Sequence, residues 1–122
     1  IWSVLMYELM VKLTFSAAHR VEDYPGNCER LHGHNWVVKV YVESNNLDKL
    51  GMVIDFRTLK EKAKEVLSCL DHHLLNDVSP FDKINPTAEN IAKWIYDQLS
   101  LKVPIKKVSV YESEDSSASY YR

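Results

Sequence analysis

Hydrophobic and polar residues alternate near both ends of the chain. From Tyr7 to Phe15 every second residue is apolar, a pattern that predicts a strand with one buried face. A second strand is predicted from about His32 to Ser44, where Val, Trp and Tyr are frequent. Past Pro104, two shorter strands are predicted over residues 105–112 and 118–122, with a polar turn between them. The sequence therefore predicts one strand pair at each end of the chain.

Two amphipathic helices are predicted between the strand pairs. The first follows Asp55, a predicted N-cap, and its apolar residues recur at a spacing near 3.6: Phe56, Leu59, Ala63, Val66, Leu67 and Leu70. The second begins after its predicted cap, Thr87, and its apolar positions are Ala88, Ile91, Ala92, Ile95 and Leu99. Cys69 would lie near the end of the first helix, where we expect it to be a small buried residue.

The order strand, strand, helix, helix, strand, strand predicts an α+β fold. Short links within each strand pair favour a four-stranded antiparallel sheet, with the two helices between strands 2 and 3 packed on one face, in a single domain over residues 1–122. Such a sheet has two open edges, which favour pairing with other subunits. We therefore expect a homo-oligomer, although an edge covered by the N-terminal segment would serve a monomer equally well.

Composition and charge exclude several classes of protein. The chain has 122 residues, with 15 Lys and Arg against 17 Asp and Glu, and 46% of its residues are hydrophobic. It is too apolar to be disordered and has no basic cluster of the kind that binds nucleic acid. Its apolar runs are far shorter than the roughly 20 residues of a membrane span. Without a recognisable signal peptide, and with only Cys28 and Cys69 as thiols, we expect a cytoplasmic protein with reduced cysteines.

Three histidines form the densest candidate site. His32 and His34 are two residues apart on a predicted strand, so their side chains point to the same side. His19, at the end of the first strand, would lie across the hairpin from this pair. Three histidines leave the fourth position of a tetrahedral Zn²⁺ open, which is the pattern of a catalytic site. A pair of surface histidines is the simpler interpretation of His-x-His alone; a cupin would carry a Glu three or four residues later, where this chain has Val37 and Val38.

Candidate proton-transfer groups flank this cluster in sequence. Cys28 comes four residues before His32, and a thiolate near Zn²⁺ and a histidine would have a depressed pKa and could act as a nucleophile or base. Asp71 and His72 follow the first helix and could form a relay in which the imidazole takes the thiol proton. The same two residues could equally cap or solvate the end of that helix.

Glu112 is an acidic residue on an apolar strand face. The alternation that buries Val108 and Val110 carries Glu112 onto the same face. A carboxylate facing inward is costly unless something donates to it. Either a buried Arg or Lys pairs with it, or it accepts two N–H groups from a ligand such as the amino-amidine edge of a pterin or guanine.

Six segments in this order cover nearly the whole chain: Phe15–Arg20, Cys28–His34, Gly51–Phe56, Leu70–His72, Pro86–Asn90 and Val108–Ser113. Together they resemble the 6-pyruvoyltetrahydropterin synthase superfamily. The three-residue gap between Cys28 and His32 is similar to the branch that forms 6-carboxytetrahydropterin in queuosine (7-deazaguanine) biosynthesis. The pyruvoyl-forming branch, which tends to have a longer gap, is the alternative, and a pterin- or zinc-binding module without turnover is another.

The resemblance implies a tunnelling fold (T-fold), in which three subunits close their sheets into a barrel and two trimers stack. It implies a zinc-dependent lyase that converts 7,8-dihydroneopterin triphosphate to 6-carboxy-5,6,7,8-tetrahydropterin, acetaldehyde and triphosphate. By motif, the zinc ligands would be His19, His32 and His34; the proton-transfer residues Cys28, Asp71 and His72; and the pterin-binding residues Glu112 and Thr87.

Overall fold

The structure is a computed structural model that describes residues 5–22 and 30–122. Its elements in chain order are β1 (Tyr7–His19), β2 (His32–Ser44), α1 (Phe56–Leu67), β3 (His73–Leu74), a 3-10 helix (Leu75–Asp77), α2 (Ala88–Leu99), β4 (Ile105–Ser113) and β5 (Ser116–Tyr121). These elements confirm the predicted α+β class and the position of both helices between the strand pairs. The bounds of β2 are those predicted from the sequence.

The strands form one sheet in the order β3-β1-β2-β4-β5. The four long strands are antiparallel to their neighbours, as predicted. The sheet also contains a fifth strand, the two-residue β3, which pairs in parallel with β1 at Ala17 and Ala18. Beyond that short contact, no described strand pairs with the outer edge of β1, so this edge and the outer edge of β5 remain available for another chain.

Both helices cover one face of the sheet and share its core. Alternate residues of β1 and β2 from Val11 to Ala17 and from Trp36 to Val42 are buried, and they pack in one cluster with Leu59, Ala63, Ile91 and Ile95 of the helices. The predicted N-caps are confirmed: Asp55 accepts a hydrogen bond from the Arg57 N–H at 2.7 Å, and Thr87 accepts one from the Asn90 N–H at 3.2 Å. In the described part of the chain, neither helix has the length and apolar character to cross a membrane.

The expectation that Cys69 is buried was wrong. α1 ends at Leu67, and the chain turns at Ser68, so that Cys69 lies outside the helix and is exposed. Leu70, one residue later, is fully buried instead. The apolar period of the helix therefore continues into the turn but skips the cysteine.

Candidate metal centre

The pairing of β1 with β2 brings three histidines together. His19 lies directly opposite His32, and His34 lies opposite Ala17, which is two residues before His19 on the same face of β1. All three side chains therefore reach one end of the core, as the hairpin argument predicted. His19 is buried with 2% exposure, whereas His32 and His34 are partly exposed.

Four potential ligand atoms converge at this end of the sheet. The Nε2 atoms of His19 and His32 are 3.1 Å apart. Glu112 reaches the same point from β4: its Oε1 lies 3.0 Å from His34 Nε2, 3.4 Å from His19 Nε2 and 3.7 Å from His32 Nε2. All four ligand atoms lie within 4.8 Å of one another, which is close enough to share one metal ion.

The other ring nitrogen of two histidines sets the orientation of their rings. His19 Nδ1 lies 2.7 Å from the carbonyl oxygen of Pro86, and His32 Nδ1 lies 2.6 Å from that of Arg30. Because a carbonyl oxygen only accepts, both Nδ1 atoms donate a hydrogen bond to it, and both rings turn Nε2 toward the centre of the cluster. In the neutral form, the form that binds a metal, both Nε2 lone pairs would point at that centre.

His34 supplies the third nitrogen, Nε2, which has no hydrogen-bond partner among residues 5–22 and 30–122. Its Nε2 atom is buried, and Glu112 approaches it at 3.0 Å without the alignment of a hydrogen bond. Burial lowers the pKa of His34, an effect that the Glu112 carboxylate opposes, and the neutral imidazole is the form that binds metals. A buried nitrogen without a hydrogen-bond partner, beside the converging Nε2 atoms of two other histidines, is a donor set that suits a divalent metal such as zinc.

Trp36 forms the floor of the cluster. It is fully buried, and its ring lies edge-on to His19 and His34, with centroid distances of 4.8 and 5.2 Å. Its Nε1 donates a hydrogen bond to the Ala17 carbonyl at 3.3 Å, and Phe15 stacks against it. Sequence reasoning did not single out Trp36, although its position two residues after His34 on the same strand face would have placed it beneath the histidines.

A cavity of about 230 Å³ opens onto the cluster. The residues that line it are His19, Val21, His32, Thr87, Ala88, Glu89 and Glu112. Thr87 lies in this wall and also caps α2. Glu89, in the first turn of α2, adds a second carboxylate that the sequence analysis did not assign. Glu89 lies two residues after the cap, where the helix dipole alone makes an acidic residue favourable, so the sequence did not mark it as a site residue.

Two asparagines hold the chain segment that leaves β1. Asn76 accepts a hydrogen bond from the Arg20 N–H at 2.9 Å and donates one to the Arg20 carbonyl at 3.0 Å. Asn85 does the same for Glu22, at 2.9 and 3.1 Å. We call these two interactions the asparagine clamps. They fix the backbone directly after His19 to the segment between α1 and α2.

Asp71 and His72 pair with each other, but they do not line the cavity of the metal cluster. His72 Nδ1 lies 3.0 Å from Asp71 Oδ1, and the same oxygen accepts from the Ser16 N–H at 2.9 Å. That backbone N–H, followed by the interaction with His72, lowers the pKa of Asp71. His72 has a positive φ of 61° and an exposure of 82%, and it borders a shallow hollow that Gly33 and His34 also line. Cys28, the third predicted proton-transfer residue, lies outside the described residues.

Comparison with known proteins places this geometry in a family. The sequence model described as 6-pyruvoyl tetrahydropterin synthase matches residues 8–122. The chain is 37% identical to the 6-carboxy-5,6,7,8-tetrahydropterin synthase of Synechocystis sp., over 95% of this chain and 94% of the relative. It is 35% identical to the 6-pyruvoyl tetrahydrobiopterin synthase of Dictyostelium discoideum, over 87% and 89% of the two chains. The solved structure of Caenorhabditis elegans 6-pyruvoyl tetrahydropterin synthase matches with a TM-score of 0.85 at 28% identity, over 100% of this chain and 99% of that one. The chain belongs to the 6-pyruvoyl tetrahydropterin synthase family.

Proposed function

We propose that this protein is a zinc-dependent lyase that converts 7,8-dihydroneopterin triphosphate to 6-carboxy-5,6,7,8-tetrahydropterin, acetaldehyde and triphosphate in queuosine biosynthesis. The observation that carries the proposal is the convergence of three histidine nitrogens beside a cavity, in a chain 37% identical to a 6-carboxy-5,6,7,8-tetrahydropterin synthase. The three-residue gap between Cys28 and His32 supports the same branch of the family. A reaction that needs a free Cys28 thiol suits the reducing cytoplasm.

His19, His32 and His34 would hold the zinc ion through their Nε2 atoms. Bound there, the metal would act as a Lewis acid toward the oxygens of the substrate side chain and make the neighbouring C–H bonds more acidic. The protein's part is to fix three neutral imidazoles, and the Pro86 and Arg30 carbonyls do this for two of them.

Cys28, Asp71 and His72 would transfer the protons. Asp71 Oδ1 lies 3.0 Å from His72 Nδ1 and would orient the ring so that Nε2 faces away from the carboxylate and toward the substrate. This nitrogen belongs to an exposed side chain outside the metal cavity of its own subunit. We therefore propose that the Asp71–His72 pair serves the cavity of a neighbouring copy, in a homotrimer or a dimer of trimers joined through the open edges of β1 and β5.

Carboxylates would bind the pterin base within the cavity. Glu112 and Glu89 both face this space, and either can accept the two N–H groups of the amino-amidine edge. Thr87 uses a lone pair to cap α2 and keeps its hydroxyl proton available to the substrate. Replacing either glutamate by Gln should raise KM, and an unchanged KM for one of them would remove that residue from base recognition.

Product analysis tests the reaction. The zinc-loaded protein is incubated with 7,8-dihydroneopterin triphosphate, and the pterin product and acetaldehyde are measured by mass spectrometry. We expect the carboxy product and one acetaldehyde per turnover. A pyruvoyl product without acetaldehyde would instead establish the alternative activity, which the similarity to the Dictyostelium synthase favours. Zinc and pterin binding without any product would establish a binding module.

The proton-transfer residues are tested by mixing inactive variants. Cys28→Ala and His72→Ala should each abolish turnover while zinc content stays near one per subunit. If the pair acts across subunits, oligomers reassembled from both variants contain some intact sites and regain part of the activity. Retained activity in Cys28→Ala alone would remove the thiol from the mechanism, and mixed oligomers as inactive as their parents would place the relay within one subunit.

A further inference from the structure

We propose that Glu112 is the fourth metal ligand of the substrate-free protein and that substrate displaces it. The inference rests on the proposed function, since it concerns the same zinc site. It gives Glu112 two successive partners: the metal when the cavity is empty, and the pterin once the cavity is filled.

The distances in the cluster carry the first half of the proposal. In tetrahedral geometry, ligand atoms about 2.0 to 2.1 Å from a zinc ion lie about 3.3 to 3.4 Å from one another. The separations in this structure are 3.0, 3.4 and 3.7 Å from Glu112 Oε1 to the three nitrogens, and 3.1 Å between His19 Nε2 and His32 Nε2. These four separations bracket the tetrahedral values, so Glu112 Oε1 is close enough to the three nitrogens to share a metal ion with them.

An ion pair with one histidine explains the position of Glu112 less well. A carboxylate bonded to a single imidazolium would align with that N–H and lie farther from the other two rings. Instead, Oε1 is within 3.7 Å of three Nε2 atoms and is not aligned on His34, the nearest one. The rings of His19 and His32 already donate from Nδ1, which leaves both Nε2 atoms turned toward Oε1. One oxygen within 3.7 Å of three ring nitrogens is the arrangement that a shared cation would produce.

The surroundings of Glu112 support the second half, its displacement. The Glu112 side chain is 38% exposed, whereas that of His19 is 2% exposed. The pairing of β4 with β5 is irregular between Tyr111 and Ser113, so the backbone that carries Glu112 lies at a break in the ladder. The cavity is lined by Glu112 but not by His34. An entering molecule therefore meets the cluster on the side of Glu112 and His32, its two most exposed side chains.

Displacement is a simple ligand exchange. The dative bond from Glu112 Oε1 breaks, a lone pair of a substrate side-chain oxygen takes its place, and no electron or proton is transferred. The freed carboxylate regains both oxygens as acceptors and can bind the N–H groups of the pterin. Until then, Glu112 would occupy the coordination position that water could otherwise take. The metal would therefore act as a Lewis acid only in the substrate complex.

Metal affinity tests the resting state. Zinc affinity is measured by competition with a chromophoric chelator for the wild type, Glu112→Gln and the control Glu89→Gln, which removes a carboxylate from the same cavity outside the cluster. Since even outer-shell groups contribute 10–100-fold to metal affinity, we expect Glu112→Gln to weaken zinc binding by at least about tenfold and Glu89→Gln to leave it unchanged. Equal affinities in all three proteins would overturn the proposal.

Cobalt substitution tests the exchange. The visible spectra of the Co²⁺ forms of the wild type and Glu112→Gln are compared with and without dihydroneopterin, which lacks the triphosphate. We expect the two ligand-free spectra to differ and the two ligand-bound spectra to coincide, because Glu112 has left the metal in the wild-type complex. A difference that persists with ligand bound would show that Glu112 stays coordinated. If no protein bound metal at all, the proposed function would fail; if the metal bound but the ligand-free spectra were identical, only this inference would fail.

Discussion

The asparagine clamps should link the stability of the fold to the affinity of the metal site. Asn85→Ala removes two hydrogen bonds to the Glu22 backbone, and Asn76→Ala removes two to the Arg20 backbone. A typical protein hydrogen bond contributes about 0.5–1.5 kcal/mol, and the groups released here lie in an exposed region where water can replace the lost partner. We therefore expect each variant to lower the free energy of unfolding by about 1–2 kcal/mol.

The assay is urea unfolding of each variant with zinc and with chelator. Because the clamps hold the backbone directly after His19, we expect a larger loss of stability in the zinc-loaded protein than in the metal-free one, and a weaker zinc affinity. Asn46→Ala is the matched control, since Asn46 is an exposed asparagine whose side chain forms no hydrogen bond within residues 5–22 and 30–122. Asn85→Asp keeps the acceptor for the Glu22 N–H but loses the donor, and should fall between wild type and Asn85→Ala.

Two results would refute this reasoning. If Asn76→Ala and Asn85→Ala were as stable as Asn46→Ala, the four hydrogen bonds would contribute nothing measurable in water. If both variants lost the same stability with and without zinc and kept the wild-type zinc affinity, the clamps would be structural only and would not position His19.

Further predictions concern Trp36 beneath the histidines, the two helix caps, Asp71 and the binding of zinc. Trp36→Phe should cost about 1–3 kcal/mol in urea unfolding, through lost volume and the lost bond to the Ala17 carbonyl, and should also weaken zinc binding. Thr87→Ala and Asp55→Ala should each cost about 1 kcal/mol in the same assay, but only Thr87→Ala should raise KM. Because the pKa of Asp71 is lowered in the folded protein, its ionised side chain stabilises the fold at pH values above 3.8, the usual pKa of Asp, and this contribution is lost as the pH falls through the lowered pKa. Asp71→Asn should therefore flatten the acid limb of a curve of stability against pH. Free zinc at 100 times its Kd should stabilise the protein by about 2.7 kcal/mol, measured as a shift in Tm that chelator reverses.

Local patterns in the sequence predicted most of the fold. The alternation along β2 and the caps at Asp55 and Thr87 depend only on residues within a few positions of each other, and the structure confirms them. The meeting of His19 with His32 required one further assumption, that the first two strands form a hairpin. With that register, the alternation of side chains places all three histidines on the same face of the sheet.

Contacts between distant residues could not be predicted in this way. Asn76 and Asn85 bind backbone groups 56 and 63 residues away, and any exposed asparagine has the same local pattern. The strand β3 has two residues, too few for a period to appear. Glu89 enters the cavity only because α2 points its first turn at the end of β1, which is a matter of packing between elements.

Glu112 shows that a local pattern can predict the orientation of a side chain without predicting the groups that it contacts. The alternation along β4 predicted an inward-facing carboxylate that something must compensate, and the sequence offered a buried cation or a ligand. The structure places three histidine nitrogens there instead, at 3.0 to 3.7 Å from Glu112 Oε1. A carboxylate and three imidazole nitrogens at the end of a core each need a partner. A divalent cation would make the contacts of all four groups favourable at once. The side chains whose burial costs the metal-free protein most would therefore be the ones that bind the metal.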